Sequence, residues 1–199
     1  MPRPRSLTAD QLADAALAVI DRDGLASLSM RSVAKELGVG TMGLYRYVTD
    51  REELEQLVVE RVLGAVDTTM PATDPIVTMV QRVRAAVRAH PEVIPLTTTY
   101  RHRSPSVLHW SETVLAILTR EGIEGERRVY AMRALLSYVT GAIQLDHRGP
   151  LAGSGTDAIA GLAEFPHLAE TARYAQKIGP EDEFAGGLAI LLRGLGLAG

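Results

Sequence analysis

The side chains best suited to recognition chemistry stand in one run, Thr41-Met42-Gly43-Leu44-Tyr45-Arg46-Tyr47, with Arg31 ahead of it and Arg51 just beyond. Leu44 and Val48 are its apolar pair, spaced i and i+4 as one buried helical face requires. That leaves Thr41, Met42, Gly43, Tyr45, Arg46 and Tyr47 largely free. Two tyrosines flanking an arginine on a helix of about two turns are hard to explain as core. Aromatic and basic side chains on the second of two short helices, joined by a tight turn, suit the major groove of DNA.

The elements that must hold this run are legible before and after it. Thr8 is a natural N-cap with Gln11 three residues later, a capping box, and Leu7 and Leu12 have the spacing of a hydrophobic staple. Leu12, Ala16, Val19 and Ile20 line one face of a first helix that Asp23-Gly24 closes. Ser29 can cap a second helix with Val33, Ala34 and Leu37 inward and Arg31, Lys35 and Glu36 outward. Gly38 has the position of a left-handed C-cap, and Val39 plugs the turn. Asp50 can cap a fourth helix carrying Leu54, Leu57, Val58, Val62 and Ala65 to about Thr68. The arm with Arg3 and Arg5 between prolines is expected to be extended, either solvated or touching the DNA backbone or minor groove.

The bulk composition limits the alternatives. The chain has 199 residues, 46% apolar and 23% charged, an ordinary globular balance with length for a sizeable core. It has no cysteine, which excludes disulfides, thiolate metal sites and cysteine nucleophiles. No apolar run approaches the ~18 residues of a membrane span. The start, Met-Pro-Arg-Pro-Arg, lacks a signal-like apolar core, so a cytoplasmic protein with no membrane partner is expected. The net charge of -3 argues against a general nucleic-acid binder, and residues 1–51 hold seven Arg or Lys against six Asp or Glu. DNA binding must therefore depend on where Arg3, Arg5, Arg31, Lys35, Arg46 and Arg51 point.

The run Leu28–Leu57 resembles the DNA-binding domain of TetR-family transcriptional repressors. The matching residues are Ser29-x-Arg31-x-Val33-Ala34-x-x-Leu37-Gly38-Val39, then Leu44-Tyr45-x-Tyr47-Val48-x-Asp50-Arg51-x-x-Leu54. The resemblance covers about 50 residues of the chain and departs from the family twice. Gly43 replaces a more common Ala, Ser or Thr, which lowers helix propensity by up to ~1 kcal/mol relative to Ala and gives the backbone room to approach a groove. Arg51 replaces the usual Lys and keeps the charge. The resemblance implies that Tyr45, Tyr47 and Arg51 position the domain on phosphates, with Arg31, Thr41, Met42 and Arg46 as candidates for base edges. The residues alone support Arg46 but do not assign Tyr45 to phosphate.

The rest of the chain also reads as helices. Met70-Pro-Ala-Thr-Asp-Pro is a break, and Asp74-Pro75 starts a helix that His90-Pro91 ends. Residues 91–98 form a short helix interrupted at Pro95, and Thr97 to Arg103 is polar and irregular. Ser104-Pro105 starts a helix through Arg120. The segment from about 125 to 147 has two apolar stripes: Val129, Met132, Leu136, Val139 and Ile143, then Leu135, Tyr138, Ala142 and Leu145. Residues 149–163, rich in Gly, Ala and Ser, read as a mobile loop. Pro166 opens a helix to about Ile178, and Gly179-Pro180 opens the last. That last helix is also two-sided: Phe184, Leu188, Leu191 and Leu195 against Gly187, Ile190, Gly194 and Leu197.

A helix apolar on two sides needs two partners. The two such helices, with Met132, Leu136, Val139, Ile143, Leu188, Leu191 and Leu195, are the candidates for a four-helix homodimer interface, as the TetR resemblance also implies. A pocket for a small-molecule effector would draw on Tyr100, His102, His109, Trp110, Tyr130 and Gln144, although Trp110 fits a core anchor equally well. His102 and His109 with Asp146 or His147 could hold a divalent metal, but separate histidines are the simpler reading, and no metal or cofactor is expected. Motifs for nucleophilic hydrolysis, phosphate loops, dinucleotide binding and zinc proteases are missing, so an enzyme is not expected.

The sequence thus predicts an all-α protein: a three-helix helix-turn-helix DNA-binding domain at 1–50 and a helical effector-binding and dimerisation domain at 51–199, joined by a connecting helix at about 51–68. The expected function is a ligand-responsive regulator that represses by binding a palindromic double-stranded DNA operator as a homodimer, released by a small-molecule effector. The alternative is an effector-independent DNA-binding dimer or a protein-interaction module.

Overall fold

The computed structural model describes residues 7–149 and 151–197, so the arm carrying Arg3 and Arg5 lies outside the described residues. Among those described there is no strand, and the all-α expectation holds. The helices are α1 (Ala9–Asp23), α2 (Met30–Glu36), α3 (Thr41–Leu44), α4 (Arg51–Leu63), α5 (Pro75–Arg88), α6 (Ile94–Thr99), α7 (Pro105–Arg120), α8 (Gly125–Arg148), α9 (Ser154–Ala160), α10 (Pro166–Ala175) and α11 (Pro180–Leu195). Two compact units result. One takes the chain through Met70 together with Gln81–Val114; the other takes Pro71–Val80 and everything from Leu115.

In the first unit α1 begins where the capping box predicts. The Thr8 hydroxyl accepts from the Gln11 N–H at 3.2 Å, and Gln11 Oε1 accepts from the Thr8 N–H at 3.1 Å. α1 packs on α4 and α2, and Leu12, Ala16, Val19 and Ile20 are fully buried, as are Leu54, Val58 and Val59 of α4. Each large apolar side chain removed from water in this way contributes roughly 1.5–3 kcal/mol. Arg22 of α1 adds a 2.9 Å ion pair to Glu36 of α2, exposed and therefore weak.

α4 ends at Leu63, short of the Thr68 expected from its apolar spacing. A local turn wins instead. Asp67 Oδ1 accepts from the Thr69 N–H at 2.9 Å and the Thr69 hydroxyl at 2.6 Å, offering the backbone an alternative to helix. Arg82 of α5 completes the strap with Nη1 bonds to the Asp67 and Thr69 carbonyls at 2.9 and 2.8 Å. The two Thr69 bonds, and then Arg82, hold the Asp67 carboxyl below the usual carboxylate range.

The expectation of an irregular Thr97–Arg103 holds only from Tyr100. Thr97, Thr98 and Thr99 are helical, and Pro95 lies in the first turn of α6, where proline needs no N–H partner, rather than interrupting it. The Thr97 and Thr99 hydroxyls donate back to the carbonyls of Ile94 and Pro95 at 2.8 and 2.9 Å.

In the second unit α8 and α11 pack together. The buried seam of α8 is Ala131, Leu135, Val139 and Ile143, and that of α11 is Phe184, Leu188 and Leu192. Each is a strict i, i+4 row, and the α8 row takes residues from both stripes read in the sequence. The stretch expected to be a loop at 149–163 contains helix α9, packed on α10. Composition hid it because its partner is distant: Gln176 donates to Asp157 at 2.7 Å, and Arg173 donates to the Ala160 carbonyl at 3.3 Å, meeting the open C-terminal end of α9.

Candidate nucleic-acid interface

The turn between α2 and α3 is fixed by backbone chemistry. Ser29 caps α2 by accepting from the Ser32 N–H at 3.0 Å, and the Ser32 hydroxyl returns a bond from the Ser29 N–H at 2.9 Å. At the other end Gly38 takes φ +67°, the left-handed C-cap its position predicted. The Val39 N–H then reaches the Ala34 carbonyl at 3.0 Å, and the Gly38 N–H reaches Lys35 at 3.2 Å, the paired bonds of a Schellman motif. Val39 does not plug this turn; it is 37% exposed, and its backbone does the work instead.

α3 is one α-turn, Thr41–Leu44, rather than the expected two. Its N-cap Gly40 has no side chain to accept a bond, and Gly43 weakens its interior. The chain continues as a tight turn in which the Leu44 carbonyl accepts from Tyr47 at 2.8 Å and Val48 at 3.1 Å. Leu44 and Val48 are buried, as their spacing requires, and they anchor the run from below.

The three residues between these anchors, Tyr45, Arg46 and Tyr47, are all exposed. Met42 is 80% exposed, Tyr45 49% and Tyr47 38%; Arg46 is exposed, while Thr41 and Gly43 are half-buried. Arg31 and Lys35, four apart on α2, are exposed as well. Among the described residues none of Arg31, Lys35 or Arg46 has a hydrogen bond or ion pair, whereas Arg22 and Arg61 are paired to carboxylates. Like charges four apart on a helix repel, so an unpaired Arg31–Lys35 face suits an external anion.

Arg51 is different. It opens α4, where Asp50 caps the helix by accepting from the Glu53 N–H at 2.8 Å. Its Nε donates to Glu55 Oε1 at 2.7 Å, and its side chain is still 47% exposed. Tyr47 also carries a bond that sequence reasoning missed: its hydroxyl accepts from the Leu7 N–H at 3.1 Å.

The other predicted residues scatter. Tyr100 and Trp110 are buried, His102 and His109 are exposed, and all four belong to the first unit; Tyr130, 65% exposed, and Gln144, half-buried, belong to the second. The Tyr100 hydroxyl is engaged, donating to Glu55 Oε2 at 2.5 Å. No group of three or more His, Asp or Glu that could hold a metal ion occurs among the described residues. Val139, Ile143 and Leu188 lie in the core of the single chain, while Met132, Leu136, Leu191 and Leu195 are half-exposed. The exposed large hydrophobic side chains of α8 and α11 are Val129, Tyr130, Leu145 and Ile190. No helix among the described residues is long and apolar enough to cross a membrane.

Comparison with known proteins agrees with this geometry. Residues 12–56 match the model of bacterial regulatory proteins of the tetR family, and residues 73–197 match the tetracyclin repressor-like C-terminal domain. The HTH-type transcriptional repressor DrrR1 of Streptomyces coeruleorubidus is 33% identical over 98% of this chain and 78% of its own length. Apo ActR of Streptomyces coelicolor superposes with a TM-score of 0.78 at 27% identity, covering 97% of this chain and 96% of that one. ActR in complex with actinorhodin gives 0.74 at 26% identity, covering 96% of each chain. A capped, Schellman-closed helix-turn-helix with exposed cations on its outer face, followed by a matching C-terminal domain, places this chain in the TetR family of DNA-binding transcriptional regulators.

Proposed function

We propose that the chain is a repressor that binds a roughly palindromic operator as a homodimer and is released by a small organic effector. Residues 1–50 would read one half-site per subunit, and residues 51–199 would hold the effector and the dimer contact. The observation that carries the reading is the outward cluster of Arg46, Arg31, Lys35, Tyr45 and Tyr47 on a backbone closed from within by Leu44 and Val48. Dimeric helix-turn-helix proteins place their reading elements about 34–36 Å apart. Val129, Met132 and Leu136 share one side of α8, and Leu191 and Leu195 one side of α11; all are at least partly exposed and supply apolar surface for a second copy. That ActR forms a complex with actinorhodin supports a small organic ligand in the related domain here. The effector would act by binding one subunit arrangement better than the other.

Gel-shift titration with DNA flanking the protein's own gene tests the reading. Sequence-specific, salt-sensitive binding at dimer stoichiometry is expected; uniform weak binding to all DNA would overturn it. The alternative, an effector-independent DNA-binding dimer, draws support from Tyr100, a candidate pocket residue whose hydroxyl is already engaged by Glu55. Thermal-shift screening separates the two, because an effector that binds the folded state raises its melting temperature.

A further inference from the structure

Glu55 is the one buried carboxylate among the described residues, and both of its oxygens are occupied. Oε1 accepts from Arg51 Nε at 2.7 Å, and Oε2 accepts from the Tyr100 hydroxyl at 2.5 Å. A carboxylate out of water requires such partners, and losing one leaves a desolvated acceptor. Tyr100 is itself buried, directly after α6, so its ring cannot swing away freely. The same stretch is strapped to α4 at two further points. Arg103 pairs with Glu52, and the Ser104 and Ser106 hydroxyls both donate to Glu60.

The placement of Arg51 is unfavourable for the helix it opens. It is the first residue of α4, where the positive end of the helix dipole disfavours a cation. A role outside the helix explains it better. With Nε held by Glu55, and with one long contact of 3.5 Å from Nη2 to the Leu25 carbonyl, most of the Nη fork stays available at a half-exposed side chain. A guanidinium anchored through Nε and open at its fork is arranged for a bidentate bond to phosphate.

We propose that Tyr100 and Glu55 are positioning residues of a phosphate clamp: Tyr100 orients the Glu55 carboxylate, which holds Arg51 with its fork presented to one DNA phosphate. The inference rests on the reading of Arg51 as a phosphate contact. It adds that a residue beyond the helix-turn-helix, 45 positions from Glu55, sets how well that contact is made.

The test is a double-mutant cycle on DNA affinity across a range of salt, using the full chain with Arg51→Ala, Tyr100→Phe and both together. Arg51→Ala should weaken all operators alike and lower the slope of log affinity against log salt by about one. Tyr100→Phe keeps the buried ring and removes the donor. It should weaken every operator several-fold in the presence of Arg51 and have no further effect without it. Independent, multiplying losses would overturn the positioning role, as would a Tyr100→Phe protein with unchanged affinity. A silent Arg51→Ala would remove the phosphate contact and the clamp together, whereas a damaging Arg51→Ala with a silent Tyr100→Phe removes the positioning role alone. Should Tyr100→Phe fail to fold, Glu55→Gln takes its place in the cycle, with the same loss confined to proteins that retain Arg51.

Discussion

The Tyr47 hydroxyl accepts a hydrogen bond from the Leu7 backbone N–H at 3.1 Å, joining the outer face of the recognition segment to the residue before the N-cap of α1. The hydroxyl still has its own hydrogen to donate. A phosphate oxygen accepting it would complete a chain from the α1 entry through Tyr47 to DNA. Tyr47→Phe removes both bonds while leaving the ring. The Leu7 N–H lies at the surface, where water replaces the lost partner, so stability should fall by no more than about 1 kcal/mol. DNA affinity should fall by a similar factor on every operator. Titration of cognate and altered operators checks this; a loss confined to particular base positions would reassign Tyr47 to base reading.

Stability at high pH should report on Tyr100. Burial, followed by the hydrogen bond to Glu55, pushes its phenol up to about 12. In the unfolded chain it titrates near its ordinary value of about 10. Between these values the unfolded chain has lost the proton and the folded chain retains it, so unfolding gains as pH rises. The contribution is complete below about pH 10 and is lost through about pH 12. At about 1.4 kcal/mol per unit it amounts to roughly 2–3 kcal/mol. Urea unfolding of wild type and Tyr100→Phe across this window isolates the effect. The wild type should lose stability more steeply, and parallel curves would show that Tyr100 is not the group responsible.

What could be read from the sequence was local. Thr8 with Gln11, Ser29 and Gly38 act within a few residues of themselves, so their types predict their geometry. Leu44 and Val48 gave the buried side of the recognition run and, by subtraction, its exposed side. The length of α3 was overestimated because apolar spacing is blind to a missing cap at Gly40. Bonds between distant residues left no trace in any window: Glu55 with Tyr100, Tyr47 with Leu7, and α9 with α10. Leu192 belongs to neither stripe read in the sequence because a helix apolar on two sides does not declare which row faces its neighbour, and the neighbour decides.

Gly187 of α11 faces the Tyr138 ring of α8 with no room for a side chain between them. A methyl group there would stand 2.9 Å from Tyr138 Cε2 and Cζ, well inside van der Waals contact. The ring has little freedom to yield. Its hydroxyl donates to the Phe184 carbonyl at 2.6 Å, and it lies 5.3 Å from the Phe184 ring at a 42° tilt. Gly187→Ala should therefore destabilise by about 1–3 kcal/mol, the usual cost of overpacking, despite the better helix propensity of alanine. Gly186→Ala, with open space around its Cβ, is the control and should be neutral or stabilising. Denaturant midpoints compare the two. Equal effects would mean that propensity, and not the Tyr138 contact, governs this helix.

Arg46 and Lys35 are both exposed cations without a partner among the described residues, and they should fail differently. Arg46 stands on the recognition segment between Tyr45 and Tyr47, with a fork that can bridge O6 and N7 of guanine. Lys35 stands on α2, the first helix of the motif, which crosses the backbone in helix-turn-helix docking. It is a point charge without a planar pattern to match. Arg46→Ala should cost about 1–3 kcal/mol at operators that carry the preferred base and little at those already mismatched there, flattening selectivity at that position. Lys35→Ala should lower affinity for all sequences alike and reduce the salt slope by about one. A panel of single-base operator variants, titrated at two salt concentrations, distinguishes the two outcomes. If Arg46→Ala lowers every operator equally and lowers the salt slope, Arg46 binds phosphate, and base reading then falls to Arg31, Thr41 and Met42.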